Sequence, residues 1–408
     1  MDVKNSAPSS VTDDPRPELL GGDRRLSVVA TLLFCTALGM VGVAAPLAAL
    51  HVGITATVIG ILVALAGASQ MATRLCMGPL LRRFPDKHFV ALAAIALVMS
   101  CALLVVNTAI WAFTVSQLLQ GLARALFWTG SQTHAVRAWP TAVGGLAVLN
   151  VANSAGALVG PALAGVLAAR SLQLSLLVAA VVGTLGVLPA AMLTRLRPFQ
   201  GAPKATHAGA RRMWRRPGVD AGCAMTAGGG AWRGLMNSYV PVVLAQAGQA
   251  APAIGALVTV GNVAALVGSA SSKWVQPLGS RSAVLIGLIP AGIGIALTGV
   301  LPQTVAVVAA ALLIAGLGGG ILQTVGPALA ADSVAPEERG DAIASNGTFR
   351  AATLLITPLG VGALVLAMPI GVALGIAGAV MLLPGLVVTR TKQPMTMIGP
   401  SRTTREGH

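Results

Sequence analysis

Arg233 lies deep inside a long apolar stretch of the sequence, where a charged side chain needs a partner. It stands 12 residues after the stretch begins at residue 221, which is about 18 Å along a helix. Its guanidinium offers five N–H donors in a planar fork that suits carboxylate or phosphate groups. Because unpaired charge in hydrocarbon is costly, we expect Arg233 to face a cavity and bind the anionic or strongly polar part of a ligand. The alternative is that helix carbonyls or Asn237, one turn away, hold the guanidinium.

Other arginines and several neutral polar residues lie in similar apolar stretches. Arg124 is six residues from the predicted end of its stretch, so its side chain could instead reach the membrane surface, and Arg350 is intermediate. The predicted ligand-binding residues are Arg233, Arg124, Gln120, Gln117, Asn237, Trp232, Gln323, Asn346 and Arg350. Further polar or aromatic residues of these stretches are Gln70, Asn150, Asn153, Asn262, Trp128 and Tyr239. Aromatic residues make up only 3% of the chain, which favours a polar or anionic ligand over a hydrophobic one.

The elements that carry these residues are predicted to be transmembrane helices. The chain is 55% hydrophobic and 10% charged, whereas a soluble domain has about 25% charged residues. A membrane-spanning helix needs about 20 mostly apolar residues. Twelve spans are predicted, at 26–50, 54–75, 89–106, 109–130, 144–168, 172–194, 221–246, 252–272, 282–301, 304–331, 342–364 and 369–389. The expected fold class is an all-α integral membrane protein with twelve transmembrane helices.

The distribution of positive charge predicts the orientation of these spans. Of the 27 Lys and Arg residues, 24 lie in alternate connections, in the two tails or at the adjoining helix ends. Short cytoplasmic loops retain Lys and Arg, so we expect a multi-pass protein of the plasma (inner) membrane with both termini in the cytoplasm. The net charge of +15 then follows from topology and from contact with the lipid bilayer, and no nucleic-acid partner is expected.

A basic linker at 195–220 divides the chain into two halves that share a faint internal repeat. Pro46 corresponds to Pro241 at a shift of 195 residues, and Asn150 to Asn346 at a shift of 196. We predict two pseudo-symmetric six-helix bundles, with cytoplasmic tails outside them. The predicted ranges are 1–25 for a disordered tail, 26–194 and 221–389 for the bundles, and 390–408 for the second tail. Parallel repeats of this kind are a transporter architecture, with the binding site between the halves near mid-bilayer.

The connection between predicted spans 2 and 3 runs from Gly78 to Lys87 and contains Arg83. These three residues, with Leu80, make it similar to the signature loop of the major facilitator superfamily, G-x-L-a-D-r-x-G-r-k. The chain departs from that loop at Arg82 and Pro85. In the family, the aspartate at the position of Arg82 is thought to hold the two halves together on the cytoplasmic side. Arg82 has no carboxylate, so this part of the resemblance does not extend to the present sequence.

Predicted span 5 carries small residues at regular spacing around a proline, namely Gly156, Gly160, Pro161 and Gly165. The pattern resembles the antiporter motif of the same superfamily, G-x-x-x-G-P-x-x-G-G, with Ala164 in place of one glycine. Small residues allow a neighbouring helix to approach closely, and the proline bends its own helix. We therefore expect this stripe to pack against the opposite bundle. The resemblance implies export, often of drugs or metabolites.

Two weaker similarities point to the same superfamily. The connection between spans 10 and 11 contains Arg339 and Gly340 in a P-x-x-R-G pattern seen in many of its exporters, although Pro and Gly there could serve only to end one helix and start another. In span 4, Gln120 and Gly121 match the family pattern R-x-x-q-G, but Gln117 occupies the arginine position. The proton-linked role of the family's arginine is therefore not transferred to Arg124.

The acidic residues give no predicted proton-carrying site. No Asp or Glu falls in the interior of a predicted span, and Asp220, Asp332 and Asp341 border connections. Proton-coupled transporters commonly use a buried carboxylate, so coupling to a proton or another ion stays an open alternative. His51 and His134 lie at or near connections and are expected to be solvated.

The resemblance, which covers residues 26–389, implies a secondary active transporter that exports a small organic molecule by alternating access. One alternative is an importer or facilitator of an organic anion, which the arginines without buried carboxylates would suit. A less favoured one is a non-transporting membrane scaffold or receptor. The sequence has no nucleotide-binding glycine-rich loop, no HExxH motif and no acidic metal cluster, so no enzyme activity, cofactor or metal is expected.

Overall fold

The computed structural model describes residues 17–139, 142–196, 213–335 and 338–383, and within these ranges the regular elements are helices. An apolar chain in a bilayer must pair its own backbone N–H and C=O groups, and a helix does this within one segment. The N-terminal half contains α1 (Pro17–His51), α2 (Ala56–Arg83), α3 (Asp86–Val106), α4 (Ile110–Ala138), α5 (Ala142–Ala168) and α6 (Leu172–Met192).

The C-terminal half continues with seven longer helices. They are α7 (Val219–Met236), α8 (Tyr239–Gln246), α9 (Ala251–Ala270), α10 (Ser280–Val300), α11 (Val305–Asp332), α12 (Arg339–Val365) and α13 (Ile370–Val380). Short helical turns occur at Met213–Arg215, Ser272–Val275 and Gln276–Leu278. Residues 1–16, 197–212 and 384–408 lie outside the described residues, so they include most of the predicted linker, the predicted tail 390–408 and the end of the last predicted span. Residues 17–25, which were predicted to belong to a disordered tail, instead form the start of α1.

Nine of the described helices are long and apolar enough to cross a membrane. The prediction of an all-α membrane protein with many spans is therefore confirmed. Helix α4 is not among the nine, because it carries polar residues such as Gln120, Arg124 and His134 along its length. Helix α13 has 11 described residues, too few to span by themselves.

The predicted seventh span, 221–246, is two helices rather than one. Helix α7 ends at Met236 and α8 begins at Tyr239, with Ser238 in a non-helical conformation (φ −129°, ψ −80°). Pro241 has no N–H to give to the carbonyl of residue 237, so an uninterrupted helix would lose that bond and meet the proline ring. The break therefore has a cause in the sequence that apolar content alone does not reveal.

Helix–helix contacts follow the same scheme in the two halves. In the N-terminal half, α1 packs against α5, α3 against α4 and α6, and α2 against α4. In the C-terminal half, α7 packs against α12, α10 against α11 and α13, and α9 against α11. The halves meet mainly along two helix pairs, α2 with α12 and α5 with α9, and also where α1 touches α8.

The small residues of α5 serve two different interfaces, which corrects the expectation that they all face the opposite half. A Cβ built on Gly156 would lie 2.7 Å from the Cβ of Cys35, and one on Gly160 would lie 2.5 Å from the Thr36 carbonyl oxygen, so both glycines pack against α1. A Cβ on Gly165 would instead lie 2.7 Å from the Ala251 carbonyl oxygen in α9. Of the three glycines, Gly165 alone lies where the halves meet.

The signature-loop residues between α2 and α3 are mostly helical. Helix α2 continues through Gly78 to Arg83, so the connection itself is only Phe84 and Pro85. Arg83 is exposed, and Lys87 donates a hydrogen bond from Nζ to the Leu193 carbonyl at 3.0 Å. The side chain of Arg339 lies outside the described residues, although the α12 backbone begins at Arg339 and continues through Gly340.

A buried ionic cluster joins four elements of the N-terminal half, and we call it the Asp–His–Asp cluster. The His134 Nε2 lies 3.3 Å from Asp23 Oδ2, and its Nδ1 lies 3.3 Å from Asp86 Oδ1. Arg137 Nη1 lies 3.6 Å from the second Asp86 oxygen. Asp23 Oδ1 also accepts hydrogen bonds from the backbone N–H and the hydroxyl of Thr194, at 3.0 Å each. His134 is 0% exposed, so the prediction that it is solvated was wrong.

The carboxylates of this cluster escaped the sequence search because they lie at helix ends. Asp23 lies within α1, which begins nine residues earlier than the predicted span, and Asp86 is the first residue of α3. Neither His134 contact has the alignment of a hydrogen bond, so both are defined by their N···O distances alone.

Candidate functional site

A cavity of 760 Å³ lies between the two halves. Four helices of each half contribute to its wall: α1, α2, α4 and α5 from the first, and α7, α9, α11 and α12 from the second. Among the described residues, α3, α6, α10 and α13 contribute none. The lining is mixed, with apolar residues such as Leu38 and Val258 beside amides such as Asn153 and Asn262.

Four arginines line this cavity, two from each half. They are Arg74 of α2, Arg124 of α4, Arg233 of α7 and Arg350 of α12. No aspartate or glutamate is present among the described lining residues. These guanidiniums also act on one another as like charges: Arg124 acts on Arg233, and both Arg233 and Arg74 act on Arg350. The cavity therefore carries several positive charges without a negative one in its wall.

Two of the arginines, Arg124 and Arg233, lie far from one common end of the helix bundle. We call the end of the helices that carries Arg82, Arg83, Arg137, Arg215 and Arg281 the basic end. Arg124 and Arg233 each lie 14 residues from the basic end of their helix, about 21 Å along its axis. Because α4 continues to Ala138, Arg124 is as deep as Arg233 and deeper than its predicted span suggested. Both side chains line the cavity, so snorkelling to the membrane surface is not needed to explain either residue.

Arg233 is held by a residue that sequence reasoning did not pair with it. Its Nη1 donates a hydrogen bond to Asn262 Oδ1 at 2.9 Å, and its guanidinium carbon lies 4.8 Å from the centre of the Trp232 ring. The predicted alternative partner, Asn237, lines the cavity and uses its backbone N–H on the Arg233 carbonyl. The Asn262 bond uses one of five N–H donors, so most of the fork stays available to a ligand.

The other three arginines have fewer partners. Arg350 Nη2 is 3.4 Å from Gln323 Oε1, a long contact, and Gln323 itself donates to the Gly319 carbonyl. Arg124 makes no side-chain hydrogen bond within the described part of the chain, and the buried Nε of Arg74 has no acceptor there. These donors are unsatisfied without a ligand or water.

The predicted binding residues divide into two groups by location. Arg233, Arg124, Arg350, Gln323 and Asn237 line the cavity. Gln117, Gln120, Trp232 and Asn346 are buried between helices instead, at 6% exposure or less. Each of the last three has a packing role: Gln120 donates to Ser116, the Trp232 ring covers Gly319, and Asn346 accepts from Thr226 at 2.7 Å.

Sequence reasoning missed part of the cavity wall, above all Arg74. Helices α2 and α4 each run eight residues past their predicted ends, and Arg74, Thr129, Gln132 and Thr133 lie in or beside those extensions. A hydropathy window ends where polar residues begin, so it cuts off the polar wall of a cavity. A usable signal was the spacing of polar residues four apart on one helix face, as in Gln70 and Arg74.

The two halves are closed at the end opposite the basic end. There, a Cβ on Gly165 would lie 2.9 Å from the Gly255 Cα, and one on Gly60 would overlap the Tyr239 side chain. Tyr239 is fully buried between α2 and α12. The cavity wall also includes Asn150 of α5 and Ser269 of α9, which lie nearer the basic end. The cavity therefore approaches the basic end.

This arrangement of helices is similar to that of several solved transporter structures. The nucleoside transporter NupG superimposes with a TM-score of 0.74 at 11% identity, covering 91% of this chain and 98% of that one. A POT family transporter in complex with 5-aminolevulinic acid gives 0.72 at 13% identity, covering 90% and 96%. A bacterial homologue of the human lysosomal transporter Spinster, in an inward-facing and unoccupied conformation, gives 0.66 at 15% identity, covering 91% and 94%.

These identities are low, so the likenesses bear on fold alone. No curated protein sequence matches the chain. The sequence model of the Major Facilitator Superfamily matches residues 28–277, more than half of the chain. The resemblance seen in the motifs is thereby confirmed, and the protein is a member of the Major Facilitator Superfamily of membrane transporters.

Proposed function

We propose that this protein transports a small organic anion across the plasma membrane by alternating access, with export as the leading direction. The observation that carries the proposal is the set of four arginines around a 760 Å³ cavity whose described wall has no carboxylate. That volume lies within the range of about 300–1,000 Å³ found for small-molecule sites. The sequence predicted only that the substrate is a small organic molecule, and the arginines of the cavity narrow this proposal to an organic anion.

Charge balance supports an anionic substrate over a neutral or cationic one. Each guanidinium taken from water into a closing cavity loses solvation, and the loss is several kcal/mol per ion without a counter-charge. A carboxylate or phosphate supplies that charge and accepts bidentate hydrogen bonds from the arginine fork. A cation would meet the repulsion of four arginines. The absence of negative charge from the described cavity wall therefore favours an anionic substrate.

We propose that the transport cycle uses twelve membrane spans in two six-helix bundles, with bounds near 26–194 and 221–389. The recurring contact scheme in the two halves supports it, as does the position of the cavity between them. If the basic end is cytoplasmic, as its Lys and Arg content favours, then both termini are cytoplasmic and this conformation opens inward. Rocking the halves about α2–α12 and α5–α9 would expose the cavity to the other side.

Export rests on the likeness of the Gly156–Gly165 segment to the antiporter motif, and import of the same anion is the alternative. Neither direction of transport identifies a coupling ion. Asp23 and Asp86 do not line the cavity, so a proton on either carboxylate would have to act at a distance.

Flux measurements in reconstituted vesicles test this proposal. We would follow labelled mono-, di- and tricarboxylates and organic phosphates, each beside an uncharged amide or ester of the same skeleton, with the protein in known orientation. Anion flux that is lost in Arg233→Gln and kept in Arg281→Gln, an exposed arginine outside the cavity, is the expected result. Flux of the uncharged members alone, or no flux of any compound, would overturn it.

A further inference from the structure

Pro161 leaves one carbonyl of α5 without its helical partner. In a helix the carbonyl of residue 157 accepts the N–H of residue 161, and proline has none. The Ala157 carbonyl therefore needs a donor from elsewhere, since an unpaired carbonyl in the membrane interior is costly. Pro161 itself lines the cavity.

Asn262 of α9 supplies that donor from the other half of the protein. Its Nδ2 donates to the Ala157 carbonyl at 3.1 Å, while its Oδ1 accepts from Arg233 Nη1 at 2.9 Å. One carboxamide thus joins α5, α9 and α7. The reversed orientation would turn its NH₂ group toward the guanidinium, which has only donors, so the two partners together fix the amide.

A neighbouring contact provides a comparison. Thr259, one turn earlier on α9, donates from its hydroxyl to the Leu158 carbonyl at 3.2 Å. It crosses the same interface between the halves, but it touches no arginine and does not line the cavity. Comparing variants of Thr259 and Asn262 therefore distinguishes two effects. Loss of Thr259 removes only a contact between the halves, whereas loss of Asn262 also removes the contact with Arg233.

We propose that Asn262 is a positioning residue that makes the anion affinity of Arg233 depend on the α5–α9 contact. The inference rests on the proposed function. While α5 and α9 touch, the carbonyl freed by Pro161 holds Asn262, and Asn262 holds the guanidinium fork toward the cavity. When the halves separate there, Asn262 loses Ala157 and the fork loses its support. A ligand shifts a conformational equilibrium only through different affinities for the two states, and this relay supplies such a difference.

The test measures sulfate affinity of the purified full-length protein by calorimetry at fixed ionic strength. Asn262→Leu should weaken sulfate binding by about tenfold, the usual scale for a lost hydrogen bond to a charged group. Pro161→Ala returns an N–H to the Ala157 carbonyl and should weaken binding by a smaller factor. The double variant should match Asn262→Leu alone. Thr259→Val should stay within about twofold of the wild type, because it leaves the Arg233 bond in place.

A second readout separates this inference from the anion proposal. Thermal unfolding without any anion gives a double-mutant cycle for Pro161→Ala and Asn262→Leu, which should be non-additive if the carbonyl links them. Additive effects on both unfolding and sulfate affinity, with wild-type binding intact, would sink the relay and leave the anion proposal standing. Wild-type protein that binds neither sulfate nor any anion of the panel would overturn the anion proposal, and with it the role of Asn262 in anion affinity. Unchanged sulfate affinity in Asn262→Leu would also overturn the relay.

Discussion

The Asp–His–Asp cluster and the arginine cavity are both concentrations of charge in an apolar protein, and they are balanced in opposite ways. In the cluster, two carboxylates face an imidazole and a guanidinium within 3.6 Å, and Asp23 also accepts two hydrogen bonds from Thr194. In the cavity, four guanidiniums face amides, hydroxyls and one another. The cluster lies within one half of the chain, whereas the cavity lies between the halves.

The difference separates charge that serves the fold from charge kept for a ligand. A buried charge that is paired inside the protein is destabilising when its partner is removed, because the survivor stays buried and unpaired. When a charge has no partner inside the protein, its removal leaves no other buried charge unpaired. Such a mutation should therefore leave the free energy of unfolding nearly unchanged and weaken ligand binding. Mutation at each site should therefore give opposite patterns of stability and flux.

The largest effect is expected in the cluster. Asp86→Asn removes the negative charge between His134 and Arg137, and we expect a loss of about 3–5 kcal/mol in the free energy of unfolding. Flux per folded molecule should stay near the wild-type rate, since Asp86 does not line the cavity. Thermal unfolding and vesicle flux measure the two quantities. Asp332→Asn is the matched control, because Asp332 is exposed and pairs only with Gln276 in the described contacts; equal destabilisation in both variants would contradict the cluster's role.

The converse pattern is expected at Arg233. Arg233→Gln should lower anion flux on the order of 100-fold, the scale of a lost charged hydrogen-bonding group in a binding site. Arg233→Lys should keep weak flux, because it retains the charge but not the planar fork. Thermal stability should be unchanged or higher in Arg233→Gln, since its lost charge relieves repulsion with Arg124 and Arg350, and it should be unchanged in Arg233→Lys. A large loss of stability with normal flux per folded molecule would place Arg233 with the structural charges.

A third pair of variants compares the two faces of α5. Gly160→Leu inserts a side chain against α1 and should cost about 1–3 kcal/mol of stability, the usual range for an overpacked interface. Gly165→Leu inserts it against α9, where the halves can separate, so stability should be largely spared while flux falls. This reverses the expectation drawn from the motif alone, under which Gly160→Leu would block transport without destabilising the protein. Unfolding midpoints beside flux decide it, and equal behaviour of the two variants would refute the division.

The smallest effect is expected at an exposed ion pair at the basic end. Arg216 donates a hydrogen bond to Glu338, and this bond raises the pKa of Arg216. Both side chains are accessible to water, where ion pairs contribute little. Arg216→Gln should leave the unfolding midpoint and the flux within experimental error. A shift as large as that of Asp86→Asn would show that burial does not explain the difference between the pairs.

Much of the fold could be predicted because apolar length and positive charge are properties of short segments. Each predicted span overlaps at least one helix of the described ranges. Their ends were less accurate where a helix leaves the lipid while lining a cavity, as in α2 and α4. The break after Met236 needed the local effect of Pro241 rather than a hydropathy average.

The site could be predicted only in part, since it is formed by contacts between residues that are distant in the sequence. Arg233 and Arg124 were identifiable because charge is rare in an apolar span. The pairing of Arg233 with Asn262, and that of His134 with Asp23 across 111 positions of sequence, depend on how helices pack. A chemical type and a periodicity point to a helix face, but they do not say which helix lies opposite it.

Direct binding of an anion by the purified protein tests the central claim. Thermal unfolding would be followed against carboxylates and organic phosphates, each beside its uncharged amide or ester, at constant ionic strength, in the wild type and in Arg233→Gln. We expect at least one anion to stabilise the wild type by about 2.7 kcal/mol at 100 times its dissociation constant, with no effect of its uncharged partner and none in Arg233→Gln. Two results would contradict the claim that the cavity arginines bind an anion. One is equal stabilisation by the uncharged partners, and the other is equal stabilisation of Arg233→Gln by the anions.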